Sequence, residues 1–504
     1  MKIAIRVDAS VQIGIGHVMR CMTLADVLKD GGAQICFVSR HLPENLRSML
    51  LEKGHEFVTL DTIKNDDPLD ELTHSHWLSV SQKQDASDSI VALSHDTWDW
   101  LIVDHYALDK RWETRLRQLT KKILVIDDIA DRKHECDLLL DQTYGRNKKD
   151  YKILIPVSCE LLLGSQYALL RSEFFKWRKY SLKRRAIPKL KNILISMGGI
   201  DQNNVTGKVI DALKNCGLPK NLTVTVIIGS ASPNIENVIK TANSTPFNTE
   251  VKMDVNNMAE LMANADLAIG AAGATTWERC CLGLPSIQIV IADNQLLIAK
   301  NLRKANIITY IDNFSDMQVK LKEVFMLSNK MSILSAAITD GQGCKIVCDY
   351  ILSKKSFDKR ISLKPIQEAD CDYIYSLQSE EARKYSRNPE KPTKQEHKKW
   401  FLSKITDEST VLFVILFGQQ QVGMLRFDNI NNNKTVVSIN IESIYSGRGI
   451  AKESLSYAFS LQPESCFKAL VHKENIPSKK VFEKLGFIKV GEEGCFNDYE
   501  MSNL

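Results

Sequence analysis

The sequence predicts an α/β protein made of two Rossmann-like units in succession, followed by a smaller α+β unit. Three observations carry this. The first 170 residues alternate short β-branched runs with helical patterns, as a parallel sheet with crossover helices does. The same alternation restarts near residue 192. The last 145 residues instead set several strand-like runs next to one another across short turns, which suits antiparallel neighbours. A length of 504 residues fits three domains at about 150 residues each. Their expected limits are 1–175, 190–354 and 360–504.

In the first unit, Lys2–Val7, Gln34–Val38, Trp100–Val103 and Lys122–Ile126 read as strands. His17–Lys29, Glu44–Glu52 and Lys110–Leu119 carry helical periodicity. Arg171–Lys191 holds nine Lys or Arg, one Glu and Pro188. Weak periodicity and high charge make it a solvated hinge, with an anion-attracting strip as the other reading. Beyond it, strands are expected at Asn192–Ser196, Thr223–Ile228, Leu267–Ile269 and Ser286–Ile291. Helices are expected at Asn203–Lys214, Met258–Ala263, Thr275–Leu282 and Gln295–Lys304. Two such halves around a hinge form a cleft, and open α/β sheets bind ligands at strand C-termini. The character changes at 354–359, KKSFDK. Val411–Phe417, Gln421–Phe427 and Thr435–Glu442 then follow as strands, with turn signals at Gly418-Gln419 and Asn431-Asn432-Asn433. Lys452–Leu461 and Ser478–Leu485 read as helices.

Composition removes several function classes. With 44% hydrophobic and 25% charged residues, the chain is an ordinary globular protein and not a disordered one. Lys and Arg number 66 against 61 Asp and Glu, a formal charge of +5, so no nucleic-acid footprint is expected. The longest purely apolar run, Val411–Phe417, has seven residues, against about 20 for a bilayer span. The N-terminus MKIAIRVDAS shows no signal-peptide h-region. Twelve Cys lack a disulfide-framework or zinc-ligand spacing. The expectation is a reduced, cytoplasmic protein with no metal and no membrane partner.

The first candidate site follows strand one, at Gly14-Ile15-Gly16-His17-Val18-Met19-Arg20. The glycines permit a tight strand-to-helix turn. The helix start offers free N–H groups and a positive dipole end, a place for phosphate or developing negative charge. That dipole disfavours a protonated imidazole, so His17 suits a general base near neutral pH. The other reading is a histidine that merely caps the turn. Asp8, Asp104, Tyr106, Asp127 and Asp128 fall at strand ends of the same unit. Asp8 and Tyr106 are candidate sugar contacts. Asp127 and Asp128 are assigned a structural role, since acids at strand ends also cap helices.

GIGHVMRCMTLADVL, VDHYALDKRWE at 103–113, VIDDIADRKHECDLLLDQ at 125–142 and ISMGGID at 195–201 resemble one family. It is the UDP-2,4-diacetamido-2,4,6-trideoxy-β-L-altropyranose hydrolases of pseudaminic acid biosynthesis, and the resemblance covers roughly residues 1 to 350. It implies a two-lobed fold similar to GT-B glycosyltransferases and metal-free hydrolysis of a sugar–UDP bond. It also implies a catalytic histidine at His17, with Gly14, Gly16 and Arg20 beside it on the substrate. Thr143 stands where the family more often has Asn.

In the second unit, Ala268-Ile269-Gly270-Ala271-Ala272-Gly273-Ala274-Thr275-Thr276-Trp277-Glu278 reads as strand, Gly-rich turn and helix. Gly270 and Gly273 would let backbone amides approach a diphosphate. Glu278 could accept two ribose hydroxyls. With Asn294-Gln295 downstream and a second turn at Gly198-Gly199, the pattern resembles the nucleotide-sugar lobe of GT-B enzymes. A tight helix–sheet packing turn is the plain alternative.

The third site is Glu442-Ser443-Ile444-Tyr445-Ser446-Gly447-Arg448-Gly449-Ile450-Ala451. It leads into a helix and supplies successive N–H groups for a pyrophosphate. Asn475-Ile476-Pro477-Ser478 and Phe482-Glu483-Lys484-Leu485-Gly486-Phe487 follow. Together these resemble the GNAT acetyltransferases over about 360–504. The resemblance implies acetyl-CoA as cosubstrate, held by Ile444, Arg448, Gly449, Ile450, Ala451, Asn475 and Ser478. Phe482 stands where many members place the Tyr that protonates the leaving thiolate, so Tyr499 becomes the candidate acid. Glu442 is the candidate base. The segment Glu396–Phe401, with His397, looks like the acceptor-side helix of sugar-amine N-acetyltransferases.

A sugar-nucleotide hydrolase joined to an N-acetyltransferase makes two consecutive steps. The 4-amino group of a UDP-linked amino sugar is acetylated, and the product is hydrolysed to UDP and the free diacetamido sugar. Three alternatives remain open at this stage. The first body could be a GT-B glycosyltransferase or a hydrolysing epimerase, and the C-terminal unit a degenerate acyl-CoA-binding regulator.

Overall fold

A computed structural model describes residues 1–61, 70–353, 360–431 and 434–502. The KKSFDK stretch at 354–359 and the Asn432-Asn433 part of the turn signal lie outside the described residues.

The first sheet contains β1 (Lys2–Val7), β2 (Gln34–Ser39), β3 (Glu56–Thr59), β4 (Trp98–Asp104), β5 (Thr120–Ile126), β6 (Leu138–Asp141) and β7 (Glu160–Leu163). Its order is β3-β2-β1-β4-β5-β6-β7, parallel throughout. The strand order reverses between β1 and β4, so the loops leaving their C-termini open a crevice there. The Gly14–His17 turn and the Asp104–Tyr106 segment are those loops. The central strands bury residues such as Ile3, Ile5, Ile102 and Leu124 completely, as a sheet covered on both faces requires. The helix Gly343–Ser353 belongs to this unit and packs on the helix Gly16–Asp30, with Cys348 Sγ 3.6 Å from the Val27 carbonyl.

The second sheet contains β8 (Asn192–Ser196), β9 (Thr223–Ile228), β10 (Asn248–Met253), β11 (Leu267–Ala271), β12 (Ser286–Ile289) and β13 (Thr309–Ile311). It runs β10-β9-β8-β11-β12-β13, again parallel, and reverses between β8 and β11. The third sheet contains β14 (Ile361–Pro365), β15 (Val411–Phe417), β16 (Gln420–Asp428), β17 (Lys434–Ile441), β18 (Cys466–His472), β19 (Ile488–Glu493) and β20 (Phe496–Ser502). Its order is β14-β15-β16-β17-β18-β20-β19, antiparallel except for the β17–β18 pair. The fold class is the expected one: α/β, two Rossmann-like lobes and a C-terminal α+β domain.

Most of the basic stretch after residue 171 is not a solvated hinge, and only its end, around Ile187–Lys189, is an exposed connection. Ser172–Arg185 is a helix, and Phe174, Arg178, Ser181, Leu182 and Arg185 are buried. Two of its cations, Arg178 and Arg185, are taken up by the C-terminal ends of other helices, where the last carbonyls lack intrahelical donors, while Lys176 and Lys179 face solvent. Arg178 donates to the carbonyls of Cys281, Thr339 (3.0 Å) and Ala336 (2.7 Å). Ser181 Oγ donates to Leu282 O at 2.6 Å. Arg185 reaches the carbonyls of Met262 (2.9 Å), Ala263 (3.2 Å) and Ala265 (2.9 Å).

The second lobe and the C-terminal domain form one compact unit. The helix Ser328–Ile338 is the shared element. Every residue from Lys330 to Ile338 is buried. Lys330 Nζ donates to the carbonyls of Ile405 (3.1 Å) and Asp407 (2.6 Å), at the end of the helix Lys394–Thr406. Tyr457, on the helix Ile450–Ser460, donates to Ala337 O at 3.2 Å. Among the described residues no helix is long and apolar enough to cross a membrane.

Candidate functional site

In the first lobe, His17 sits in the first turn of the helix Gly16–Asp30. Gly14 has φ +77°, a conformation L side chains rarely adopt, and closes the turn through a bridge to Ser10. His17 Nδ1 lies 2.7 Å from Asp104 Oδ1, at the end of β4. Its Nε2 has no hydrogen-bond partner among the described residues, and the side chain keeps 11% of its surface exposed. Asp104 is also clamped by Arg20, through Nε at 2.6 Å and Nη2 at 2.7 Å. Burial would raise the Asp104 carboxyl, but Arg20 and His17 outweigh it and hold the group well below the usual carboxylate range. Arg20 reaches on to Asp128, which accepts the Tyr106 hydroxyl at 3.1 Å. The Tyr106 ring stands edge-on to His17 at 4.7 Å. Burial and the Asp128 carboxylate push its phenol well above the ordinary value.

This network differs from the sequence expectation in several residues. Asp104 becomes the acid that orients His17, and Asp128 belongs to the site through Arg20 and Tyr106. Asp127 is structural, accepting the backbone N–H of Ile129 and Ala130 together with Arg132. Asp8 is a correction. It is fully buried, paired with Arg6, and holds the Ser39 hydroxyl and the Arg40 backbone N–H. As placed it anchors the loop after β2 and has no surface for a sugar. Arg20 is likewise committed to two carboxylates. Gly16 begins the helix with open space around it. Thr143 is buried, its backbone N–H held by Asp141 at 2.8 Å.

In the second lobe, Gly270 is a correction. It lies inside β11, and a Cβ there would sit 2.7 Å from the Ser196 carbonyl oxygen and against the Arg279 guanidinium. Its missing side chain serves the close packing of strand and helix. Gly273 is half-buried in the turn itself, with Gln295 Nε2 3.5 Å from where its Cβ would stand. Glu278 is half-buried one turn into the helix Thr275–Cys281. Gln295 Oε1 accepts the Ile291 N–H at 3.1 Å, and the side chain of Asn294 lies outside the described residues. Gly198, at φ +97°, and Gly199 are exposed after β8. Asp201 then fills the start of the following helix by accepting the N–H of Val205 and Thr206. An open cavity of about 550 Å³ lies at the ends of β12 and β13, lined by Asn203, Lys208, Val290, Ile291, Leu296 and Phe314 among others. Neither Gly270 nor Glu278 lines it.

In the C-terminal domain, Gly447 (φ +77°) and Gly449 (φ +81°) make an open turn, with nothing near where a Cβ would stand. Gly449 is the N-cap of the helix Ile450–Ser460, and no side chain caps that helix. Ile444 is exposed, and Arg448 lies over the Tyr445 ring at 5.4 Å. Ile450 is buried, and Ala451 is half-buried. The sequence did not show that β17 and β18 part company. Their parallel ladder stops at Val436 and Lys468, although the strands run on to Ile441 and His472. The diverging edges leave backbone groups available to an extended, amide-bearing ligand. Glu442 follows β17 directly and accepts the Tyr373 hydroxyl at 2.9 Å. Burial and Glu442 raise the Tyr373 phenol.

One acetyl-transfer assignment changes. Tyr499 is buried at 3% exposure and donates to Glu483 at 3.0 Å, so it is not placed as an open proton donor. Asn475 is the N-cap of the helix Ile476–Lys484, accepting the Ser478 N–H at 3.1 Å. His397 is buried against the rings of Tyr375, Trp400 and Phe401.

Residues 360–488 match the acetyltransferase (GNAT) domain family, and residues 193–331 match the glycosyltransferase family 28 C-terminal domain. The crystal structure of Acinetobacter baumannii MurG superposes with a TM-score of 0.52 at 16% identity, covering 69% of this chain and 98% of that one. The chain is a GT-B-like body fused to a GNAT domain. An uncharacterized protein of Methanocaldococcus jannaschii is 25% identical over 99% of both chains. A UDP-2,4-diacetamido-2,4,6-trideoxy-β-L-altropyranose hydrolase of Campylobacter jejuni is 28% identical over 58% of this chain and 93% of its own length. Among the described residues no group of three or more His, Cys, Asp or Glu is arranged to hold a metal.

Proposed function

We propose that the chain is a bifunctional nucleotide-sugar enzyme. Its GNAT domain acetylates the 4-amino group of a UDP-linked amino sugar, and its GT-B-like body hydrolyses the resulting UDP-2,4-diacetamido-2,4,6-trideoxy-β-L-altropyranose. The proposed working parts are 1–175, 190–354 and 360–504. The observation that carries the hydrolytic half is His17, with Nδ1 engaged by Asp104 and Nε2 open. Asp104 fixes the tautomer that protonates Nδ1, which leaves Nε2 to accept a proton. Water attacks the anomeric carbon, gives its proton to Nε2, and the bond to the UDP oxygen breaks. Glu278, Gly273 and Gln295 are the proposed nucleotide contacts.

For acetyl transfer, the uncapped turn Arg448–Ala451 supports pyrophosphate binding, and the diverging β17–β18 edges support the pantetheine arm of acetyl-CoA. The sugar amine attacks the thioester carbonyl, the C–S bond breaks, and CoA leaves. Glu442 receives the proton lost by the amine. No cysteine carries the acyl group.

One incubation tests the whole scheme. With UDP-4-amino sugar and acetyl-CoA, the wild type yields CoA, UDP and the free diacetamido sugar, followed by mass. His17→Ala stops at the acetylated UDP-sugar, since losing a general base costs about 10²–10⁴ in rate. Near-normal UDP release by His17→Ala, or CoA release independent of the amino sugar, refutes the corresponding half.

A further inference from the structure

Besides the His17 network, the first lobe carries an open cavity of about 1030 Å³ that neither proposed half-reaction uses. A volume of that order suits a small-molecule site. Three stretches of chain wall it: the start of the helix Gln82–Leu93, the start of the helix Lys110–Leu116, and the loop Asp131–Lys133. Hydrogen bonds fix these against one another. Lys110 N donates to Lys133 O at 2.7 Å, and Asp109 N donates to Gln82 Oε1 at 3.0 Å. The charges around the cavity do not balance. Six of its lining residues are Lys or Arg and three are Asp. All three carboxylates are engaged. Asp109 accepts Arg111 Nη2 at 2.8 Å, Asp70 accepts Arg111 Nη1 (3.0 Å) and the Gln82 N–H (2.9 Å), and Asp131 accepts Arg132 Nη1 at 2.9 Å. Lys110 pairs with Glu135 at 3.0 Å. Lys83, Arg115 and Lys133 are left, with no ion pair or side-chain hydrogen bond among the described residues.

The amide of Gln82 is an independent sign of a ligand. The residue borders the cavity and is only 3% exposed. Its oxygen takes the Asp109 N–H, which fixes the other end as the NH2 group. That Nε2 is buried with no hydrogen-bond partner. A buried donor without an acceptor is destabilising. Cations gathered around one concavity also concentrate a positive potential there. An entering anion relieves both, whereas a neutral molecule would leave the three cations as they are. We infer that this cavity binds a small polyanion, a molecule carrying two or three phosphate or carboxylate groups. Its oxygens meet Lys83, Arg115 and Lys133 and take a hydrogen bond from Gln82 Nε2. None of these residues belongs to the His17 network, to the proposed nucleotide contacts or to the Gly449 turn, so the inference stands apart from the reading of those sites.

The probes are inorganic pyrophosphate and citrate, each titrated by calorimetry into the full chain at low salt, with UDP and CoA already present in excess. The wild type takes up a further equivalent of at least one probe. Pyrophosphate alone marks a phosphate site, citrate alone a carboxylate site, and the affinity falls as salt is added. Lys83→Ala combined with Lys133→Ala weakens uptake by about tenfold or more, and Arg115→Ala does the same, since each removes charge-assisted hydrogen bonds. All three residues are exposed, so these variants keep the fold. Gln82→Glu keeps the acceptor for the Asp109 N–H but sets a carboxylate where the stranded donor was, and it weakens uptake by at least as much. Lysine acylation read by mass locates the site directly: the bound probe shields Lys83 and Lys133 and leaves the exposed Lys152 as reactive as before. Uptake of neither probe overturns the site. So does uptake that the Lys83, Lys133 and Arg115 variants leave unchanged, or that shields neither lysine.

Discussion

Replacing Asp104 by Asn changes one atom and removes a charge from a fully buried site. The carboxylate faces His17 Nδ1 at 2.7 Å, Arg20 Nε at 2.6 Å, Arg20 Nη2 at 2.7 Å and Cys21 Sγ at 3.4 Å. An amide offers one acceptor oxygen, and its NH2 would meet a donor from either Arg20 or His17. Breaking a buried ion pair costs about 3–5 kcal/mol. The lower end applies here, because Asp128 still pairs with Arg20. The catalytic loss is separate. Without a carboxylate at Nδ1 the imidazole no longer holds its proton there, and UDP release should fall by about 10²–10⁴. Hydrogen exchange across Gly16–Asp30 measures the first effect, and UDP release from the acetylated substrate measures the second. The Asp104 carboxyl lies below the unfolded value of about 3.9. Its contribution is therefore complete at neutral pH and is lost as pH falls below about 4, and Asp104→Asn should flatten that acid limb. Unchanged exchange together with a rate within about threefold of wild type would refute the coupling of Asp104 to His17.

Lys330→Met should change the pH dependence of the second unit. Burial lowers the ammonium from 10.5 to about 8, so between about 8 and about 10 the unfolded chain binds the extra proton and wild-type stability rises relative to the variant. Urea unfolding of both proteins at the two ends of that window measures it, and parallel curves would contradict the burial argument. Gly270→Ala should destabilise by about 1–3 kcal/mol through overpacking against Ser196 and Arg279, and a neutral result in urea would show that the strand yields. Gly449→Trp should abolish acetylation by blocking backbone approach to the pyrophosphate and forcing a side chain to φ +81°. The same variant should still hydrolyse pre-acetylated substrate, and loss of both half-reactions with the fold intact would show that the sites are not independent.

Strongly periodic elements were legible from the sequence. Lys2–Val7, Glu44–Glu52, Asn192–Ser196, Thr223–Ile228 and Val411–Phe417 appear at the bounds their patterns suggest. Several of the strands that escaped are polar or short, though Cys466–His472 is neither. Asn248–Met253 reads NTEVKM on a sheet edge, and Thr309–Ile311 has three residues. The glycine turn and His17 were visible because strand, turn and helix are local in sequence. Asp104 was visible only as a strand end, since its partner lies 87 residues away. The same distance problem misread Ser172–Arg185. Its charge was plain, but the carbonyls that absorb it are 77 to 161 residues downstream. Trp77 carried no signal, because the rings it meets, Tyr106 and His17, lie 29 and 60 residues away in the chain.

That helix also bears on the order of events on the ribosome. Arg178 is made 161 residues before Thr339, one of the carbonyls that will receive it. At about 5–20 residues per second, the guanidinium waits roughly 8 to 32 s for that partner. The first lobe waits as well, since its helix Gly343–Ser353 is translated only after the whole second sheet. Neither lobe of the nascent GT-B-like body can therefore seal before the other is nearly complete. A newly made chain holds an uncovered face on Gly16–Asp30 for most of its synthesis, and unpaired cations at Arg178 and Arg185 for shorter stretches of it.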